Sequence, residues 1–227
     1  MDINHHLLTG DGYKIPATLI QPADPLGAAV IVHGYGGNKE EQMGLGWRVA
    51  EAGLVACIID LRGHGEHSLS LDGAISADLD AAIRFCRFFG KVTVIGHSLG
   101  GLLALLSNAD YRIAISPPLS RTFNKHTQET LIAHRSYRVR SSDPAYIFAI
   151  LKELPVWNPT QDIENTLVFF AEWDIPEIIS SCIAIEKVGA QVVQIPKSMH
   201  NDIFLVEQTF AYVRNNILEW YGNGEYA

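Results

Sequence analysis

Six short apolar runs constrain this chain more than any other feature. They span residues 28–32, 55–59, 92–95, 113–115, 167–170 and 191–195. Each ends in a Gly-rich or polar loop. Five are followed by a stretch with helical character, at 40–52, 74–89, 100–106, 178–187 and 204–220. Continuous apolar strands alternating with helices imply an α/β architecture, a mostly parallel sheet with helices on both faces. Right-handed crossovers place every loop that follows a strand on one edge of such a sheet. HGYGG (33–37), GHSLG (96–100), AEWD (171–174) and SMH (198–200) are loops of this kind, so the topology is expected to gather them.

Two further strands, around residues 6–8 and 13–21, precede the pattern and are joined by Gly10, Asp11 and Gly12. Residues 117–159 interrupt it. They contain no strand-like run and read as short helices, for example 123–134 and 144–154. A segment of about 40 residues is near the lower limit for folding alone. It is therefore expected to be a small helical cap insert within a single domain spanning 1–227.

Composition excludes several functions. A chain of 227 residues with 48% apolar content buries a core without staples. A net charge of −8 argues against a nucleic-acid partner, which needs a basic footprint. No apolar run reaches the ~20 residues needed to cross a bilayer, and MDINHHLLTGDG lacks a basic-then-apolar signal pattern. Cys57, Cys86 and Cys182 are odd in number and flanked by apolar residues, so they read as buried free thiols. A reducing, cytoplasmic location is expected, with no membrane partner.

Gly96-His97-Ser98-Leu99-Gly100 fits G-x-S-x-G, directly after the apolar KVTVI and before GLLALL. A serine hydroxyl is a weak nucleophile unless it is exposed beside a base. A tight strand-to-helix turn exposes it, and the glycines let strand and helix approach closely. The base then lies C-terminal, in the order Ser, acid, His. His200, in the loop after the last strand, is the candidate. Asp174 follows the strand LVFF and is the candidate orienting acid. Glu172 stands too close to its strand end to reach back, and Asp162 and Glu164 precede the strand. Backbone N–H groups of Leu99 and of Tyr35, in the Gly-rich loop after the first parallel strand, are the candidate oxyanion donors.

These residues resemble the α/β-hydrolase superfamily, in particular small microbial esterases and lipase-like hydrolases. The resemblance runs through HGYGGN (33–38), DLRGHGEH (60–67), GHSLGG (96–101), the Asp174 loop and His200. HGYGGN followed by a helix is also similar to the cinnamoyl and feruloyl esterase branch. The resemblance implies hydrolysis of a small-molecule carboxylic ester through an acyl-enzyme, with no cofactor. A serine nucleophile, in place of Asp or Cys, disfavours dehalogenase and dienelactone-hydrolase readings. In such proteins a small Ser or Thr usually follows DLRGHG closely, whereas here Glu66 and His67 precede Ser68. Thioesterase, acyltransferase and ligand-receptor functions use the same constellation.

His64 and His67 have no companion ligands at metal spacing and read as rim residues, so no metal is expected. The insert is basic: residues 119–153 hold six Lys or Arg and three Asp or Glu. One reading pairs this charge with the acidic body. The sharper one has Arg135, Arg138 and Arg140 hold an anionic group on the substrate. Phe123, Tyr137, Tyr146, Phe148 and Trp157 read as the insert's own small core, with an acyl-pocket lining as the alternative.

Overall fold

Every residue of the strands β3 (Gly27–Val32), β4 (Leu54–Ile59) and β5 (Val92–His97) is buried. A strand covered on both faces needs apolar side chains pointing both ways, and these runs supply them. In a computed structural model describing residues 1–160 and 163–222 they form the centre of an eight-stranded sheet. Asp162, weighed above as a competing acid, lies outside the described residues.

The other strands are β1 (Asp2–Thr9), β2 (Lys14–Gln21), β6 (Tyr111–Ile115), β7 (Thr166–Trp173) and β8 (Gln191–Met199). The sheet order is β1-β2-β4-β3-β5-β6-β7-β8. β1 and β2 pair antiparallel, as do β2 and β4, and every later pairing is parallel. β1 runs well beyond residues 6–8. It is an edge strand with only Leu8 buried, so most of it carries no apolar run to read.

The helices are α1 (Met43–Glu51), α2 (Ser76–Cys86), α3 (Leu99–Leu106), α4 (Lys125–Arg135), α5 (Tyr146–Glu153), α6 (Pro176–Glu186) and α7 (Glu207–Tyr221). Side chains of a strand alternate between faces. Ala28, Val30 and Val32 thus meet Leu79 and Ile83 of α2, Leu102 and Leu103 of α3, and Ile147 and Ile150 of α5. Ala29 and Ile31 meet Leu45 and Val49 of α1 and Val213 and Ile217 of α7.

From β3 the chain moves to one side to make β4, then returns to the other side to make β5. Adjacent strands whose connections leave in opposite directions open a crevice at their carboxyl ends. The loops following β3 and β5 therefore face each other. Segment 117–159 lies between β6 and β7 and contributes α4 and α5. α5 buries Ile147, Ile150 and Leu151 in the same cluster as β3 and β5, whereas α4 buries no residue.

Candidate active site

Ser98 sits between β5 and α3 with φ 52° and ψ −117°, a left-handed conformation rare for a residue with a Cβ. The turn is held by Ser98 N–H donating to Ile115 O at 2.7 Å. Its tightness explains the flanking glycines. A Cβ at Gly96 would collide with the Gly100 carbonyl, and one at Gly100 would collide with the Val32 carbonyl. Ser98 thus projects from the strand end, half-buried, into the crevice.

His200 lies just past β8 and turns its ring toward Ser98. Its Nε2 is 3.1 Å from Ser98 Oγ, and its Nδ1 is 2.7 Å from Asp174 Oδ1. Asp174 follows β7 and is buried. Burial alone would raise its pKa. The bonds from His200, from Ser116 Oγ (2.5 Å to Oδ2) and from Ala171 N–H (3.0 Å) outweigh this and hold the carboxyl below its ordinary value. Ile175 N–H adds a fourth donor at 2.8 Å. Glu172 points elsewhere and accepts from Lys197 N–H at 2.7 Å. Glu164 lies in the turn leading into β7, at the far end of that strand.

Two further residues shape this group: Ser116, which stands in no sequence pattern, and His97, a variable position of the G-x-S-x-G turn. Ser116, at the end of β6, adopts φ 51° and spends its hydroxyl on Asp174. His97 donates its Nε2–H to the backbone carbonyl of His200 at 2.7 Å. Its ring lies 5.0 Å from that of His200 and 4.7 Å from that of Phe204. Burial, then the neighbouring His200, push its pKa down to about 3, so it stays neutral.

The loop after β3 supplies the opposite wall. Gly34 passes so close that a Cβ there would lie 3.0 Å from that of Ser98. Among the described residues, neither Tyr35 N–H nor Leu99 N–H has an acceptor. Both residues line the same cavity as Ser98. The Tyr35 hydroxyl turns away and donates to Pro144 O at 3.3 Å. His33 braces the loop from below. Its Nδ1–H donates to Gly34 O at 2.8 Å and its Nε2 accepts Leu61 N–H at 3.1 Å. Burial lowers its pKa to about 4.

Loop 60–67 is built around ion pairs. Asp60 accepts from Lys39 N–H (2.8 Å), Lys39 Nζ (3.1 Å) and Glu66 N–H (2.9 Å). Arg62 pairs with Asp78 at 2.8 Å and Asp72 at 2.7 Å. His64 and His67 are buried here, in place of the rim expected from the sequence. His64 packs 4.9 Å from His33 and 5.8 Å from Tyr35. Among the described residues, no group of three or more His, Cys, Asp or Glu side chains could hold a metal ion.

The three arginines of the insert part company. Arg138 pairs with Glu41 at 2.6 Å. Arg140 donates to the carbonyls of Gly65, His64 and His67. Only Arg135 of the three lines the space over Ser98, where its Nη2 donates to Asn201 Oδ1 at 2.8 Å.

That space has two lobes of about 280 Å³ each, which share Tyr35, Ser98, Leu131, Arg135, His200 and Asn201. One lobe is apolar, with Phe123, Ile147, Phe148, Leu151 and Ile178 in its walls. The other is lined by Gly34, Glu41, His97, Phe204 and Leu205. Phe123 and Phe148 thus pack together, 6.2 Å apart, and also wall the cavity. Tyr137 is exposed, and Trp157 packs with the α6 cluster.

A mostly parallel open sheet, with a serine on the turn after one central strand and an acid and a histidine after later strands, defines the α/β-hydrolase class. The chain belongs to the alpha/beta hydrolase family, whose model matches residues 29–181. No curated protein matches the sequence. Solved structures do. A Pyrobaculum calidifontis esterase superposes with TM-score 0.68 at 21% identity, covering 96% of this chain and 85% of that one. The Pyrococcus furiosus esterase Pf2001 gives 0.69 at 17%, covering 97% and 93%. Est1E from Butyrivibrio proteoclasticus, with ferulic acid bound, gives 0.66 at 18%, covering 95% and 97%. At these identities the likeness shows the fold.

Proposed function

We propose that this protein is a serine hydrolase that cleaves carboxylic esters through an acyl-enzyme. The observation that carries the reading is the hydrogen-bonded series Ser98 Oγ, His200 Nε2, His200 Nδ1, Asp174 Oδ1, at 3.1 and 2.7 Å, beneath a cavity. In this reading His200 takes the Ser98 proton as Oγ attacks the ester carbonyl. Asp174 keeps Nδ1 protonated and stabilises the imidazolium. The carbonyl oxygen becomes an oxyanion between Tyr35 N–H and Leu99 N–H, whose lack of other acceptors leaves them free for it. His200 then protonates the leaving alcohol. Water, deprotonated by His200, attacks the acyl-Ser98 ester, and the carboxylic acid departs as Ser98 regains its proton.

The residues are sufficient for this chemistry without a cofactor or metal. Segment 117–159 serves as a cap over the site within a single domain. The three buried free thiols fit a cytoplasmic location. Feruloyl-type and short acyl esters are both candidate substrates. The ferulic acid bound to Est1E and the aromatic wall of Phe123 and Phe148 favour the first.

Hydrolysis of p-nitrophenyl esters of increasing acyl length tests the reading. Wild type is expected to turn over, and Ser98→Ala to lose activity by a factor of about 10³ or more. Equal rates in the two proteins would end it.

A further inference from the structure

The apolar lobe carries a polar stripe that neither the core nor the proposed chemistry uses. α4 places His126, Thr130 and His134 at successive i, i+4 positions, hence on one face. All three line the lobe, with Arg135 beside them. Among the described residues the side chains of His126, Thr130 and His134 have no hydrogen-bond partner. Arg135 donates to Asn201 through Nη2, which leaves other guanidinium N–H groups free. His126, Thr130 and His134 are exposed, whereas the packing of α4 on the core is made by Leu131.

The charge of the lining is one-sided. Besides the Tyr35 phenol, its ionisable residues are His126, His134, Arg135 and His200, and none of the described lining residues is Asp or Glu. This is notable in a chain of net charge −8. The acids on and around α4 are engaged elsewhere. Glu129 pairs with Lys125 at 3.6 Å, and Glu177 accepts from Asn124 N–H at 2.8 Å and Nδ2 at 2.7 Å. Glu41 belongs to the second lobe and pairs with Arg138.

We infer that the apolar lobe is an acyl site for chains that end in a carboxylate, held by His126 and His134 of α4 together with Arg135. The inference rests on the ester-hydrolase reading. The acyl chain takes this lobe because Phe123, Ile147, Phe148, Leu151 and Ile178 wall it, whereas the second lobe adds Glu41 and His97 to the residues the two share. The apolar walls accept methylenes, and the N–H donors of Arg135, His126 and His134 bind the carboxylate.

The test compares p-nitrophenyl esters of neutral acids with p-nitrophenyl half-esters of dicarboxylic acids of matched length, at low ionic strength. For at least one length kcat/KM is expected to favour the carboxylated ester about 10-fold. The preference should collapse in about 1 M salt, where charges are screened within ~3 Å. It should also fall in the double variant His126→Gln/His134→Gln, checked by circular dichroism to be folded, and in Arg135→Gln. Cleavage of neutral esters with the carboxylated ones disfavoured at every length would overturn the inference and leave the ester-hydrolase reading standing. So would a preference that these variants do not change. If no ester of either kind is cleaved, the ester-hydrolase reading fails and takes the inference with it.

Discussion

The Nε2–H of His97 donates to the backbone carbonyl of His200 at 2.7 Å, so the residue beside the candidate nucleophile holds the segment that carries the candidate base. His97→Leu leaves that carbonyl without its donor and frees the His200 loop. We expect kcat to fall about 10- to 100-fold with KM little changed, from a lost bond of about 1–3 kcal/mol. His97→Gln, whose amide can donate to the same carbonyl, is expected to recover part of the loss. Steady-state kinetics on one ester decides. A matching fall in both variants, tracking only lost stability, would remove His97 from a positioning role.

Ser98 holds φ 52° against its own Cβ. Glycine adopts this backbone without strain, and such strain costs of order 1–3 kcal/mol. Part of the relief is offset because glycine loses more backbone entropy on folding. Ser98→Gly is expected to be more stable than Ser98→Ala by about 1 kcal/mol in urea unfolding, both being inactive. Equal midpoints would mean that the turn stores no strain.

Acid should weaken the fold early. His33, His64 and His97 have pKa values lowered to about 4, 3 and 3, each chiefly by burial. In the unfolded chain they titrate near ~6.5. Below that pH the unfolded state takes protons that the folded state refuses, at up to about 1.4 kcal/mol per pH unit for each residue. Stability is therefore expected to be level above pH ~7 and to fall steadily below ~6.5. Asp174 and Asp78, whose pKa values are lowered, act later. Their contribution is present at neutral pH and is lost as the pH falls through their folded values. Thermal midpoints at pH 7 and pH 5 check this, and His64→Gln should show the shallower decline. A flat profile over that range would contradict it.

Lys39 is buried, with Nζ 3.1 Å from Asp60, 2.6 Å from Glu66 and 2.7 Å from Glu40. Burial works against its charge, but the three carboxylates outweigh it and raise the pKa above the ordinary lysine value. Lys39→Met leaves Asp60 as an uncompensated buried charge, at a cost of about 3–5 kcal/mol. Adding Asp60→Asn removes that charge and is expected to restore part of the stability. Denaturant midpoints of the two variants, set against wild type, measure both steps.

How much of this was legible follows from where each signal resides. The central strands announce themselves because both faces are buried, so Gly27–Val32 and Leu54–Ile59 are unbroken apolar runs. Ser98 stands out by its G-x-S-x-G turn between an apolar strand and helix, and Asp174 and His200 by the chain order Ser, acid, His in strand-following loops that the topology sends to one edge. Ser116 left no trace. It is a lone serine at a strand end, and its importance comes from Asp174, 58 residues away. The Lys39–Asp60 pair likewise joins two loops through burial that no local pattern records. The arginines of the insert read as one cluster in sequence. A short 3₁₀ turn, Ser136–Arg138, lies among them, and their side chains reach Asn201, Glu41 and the loop carbonyls separately. Phe123 and Phe148 could be read as core or as pocket because they serve both.

The most direct measurement is covalent. The protein is incubated with a fluorophosphonate, quenched in acid and analysed by intact mass and peptide mapping. We expect a single phosphonyl adduct on Ser98, absent in Ser98→Ala and formed about 10³-fold more slowly in His200→Ala. A folded protein that takes no adduct, or takes it on another residue, would contradict Ser98 as the nucleophile.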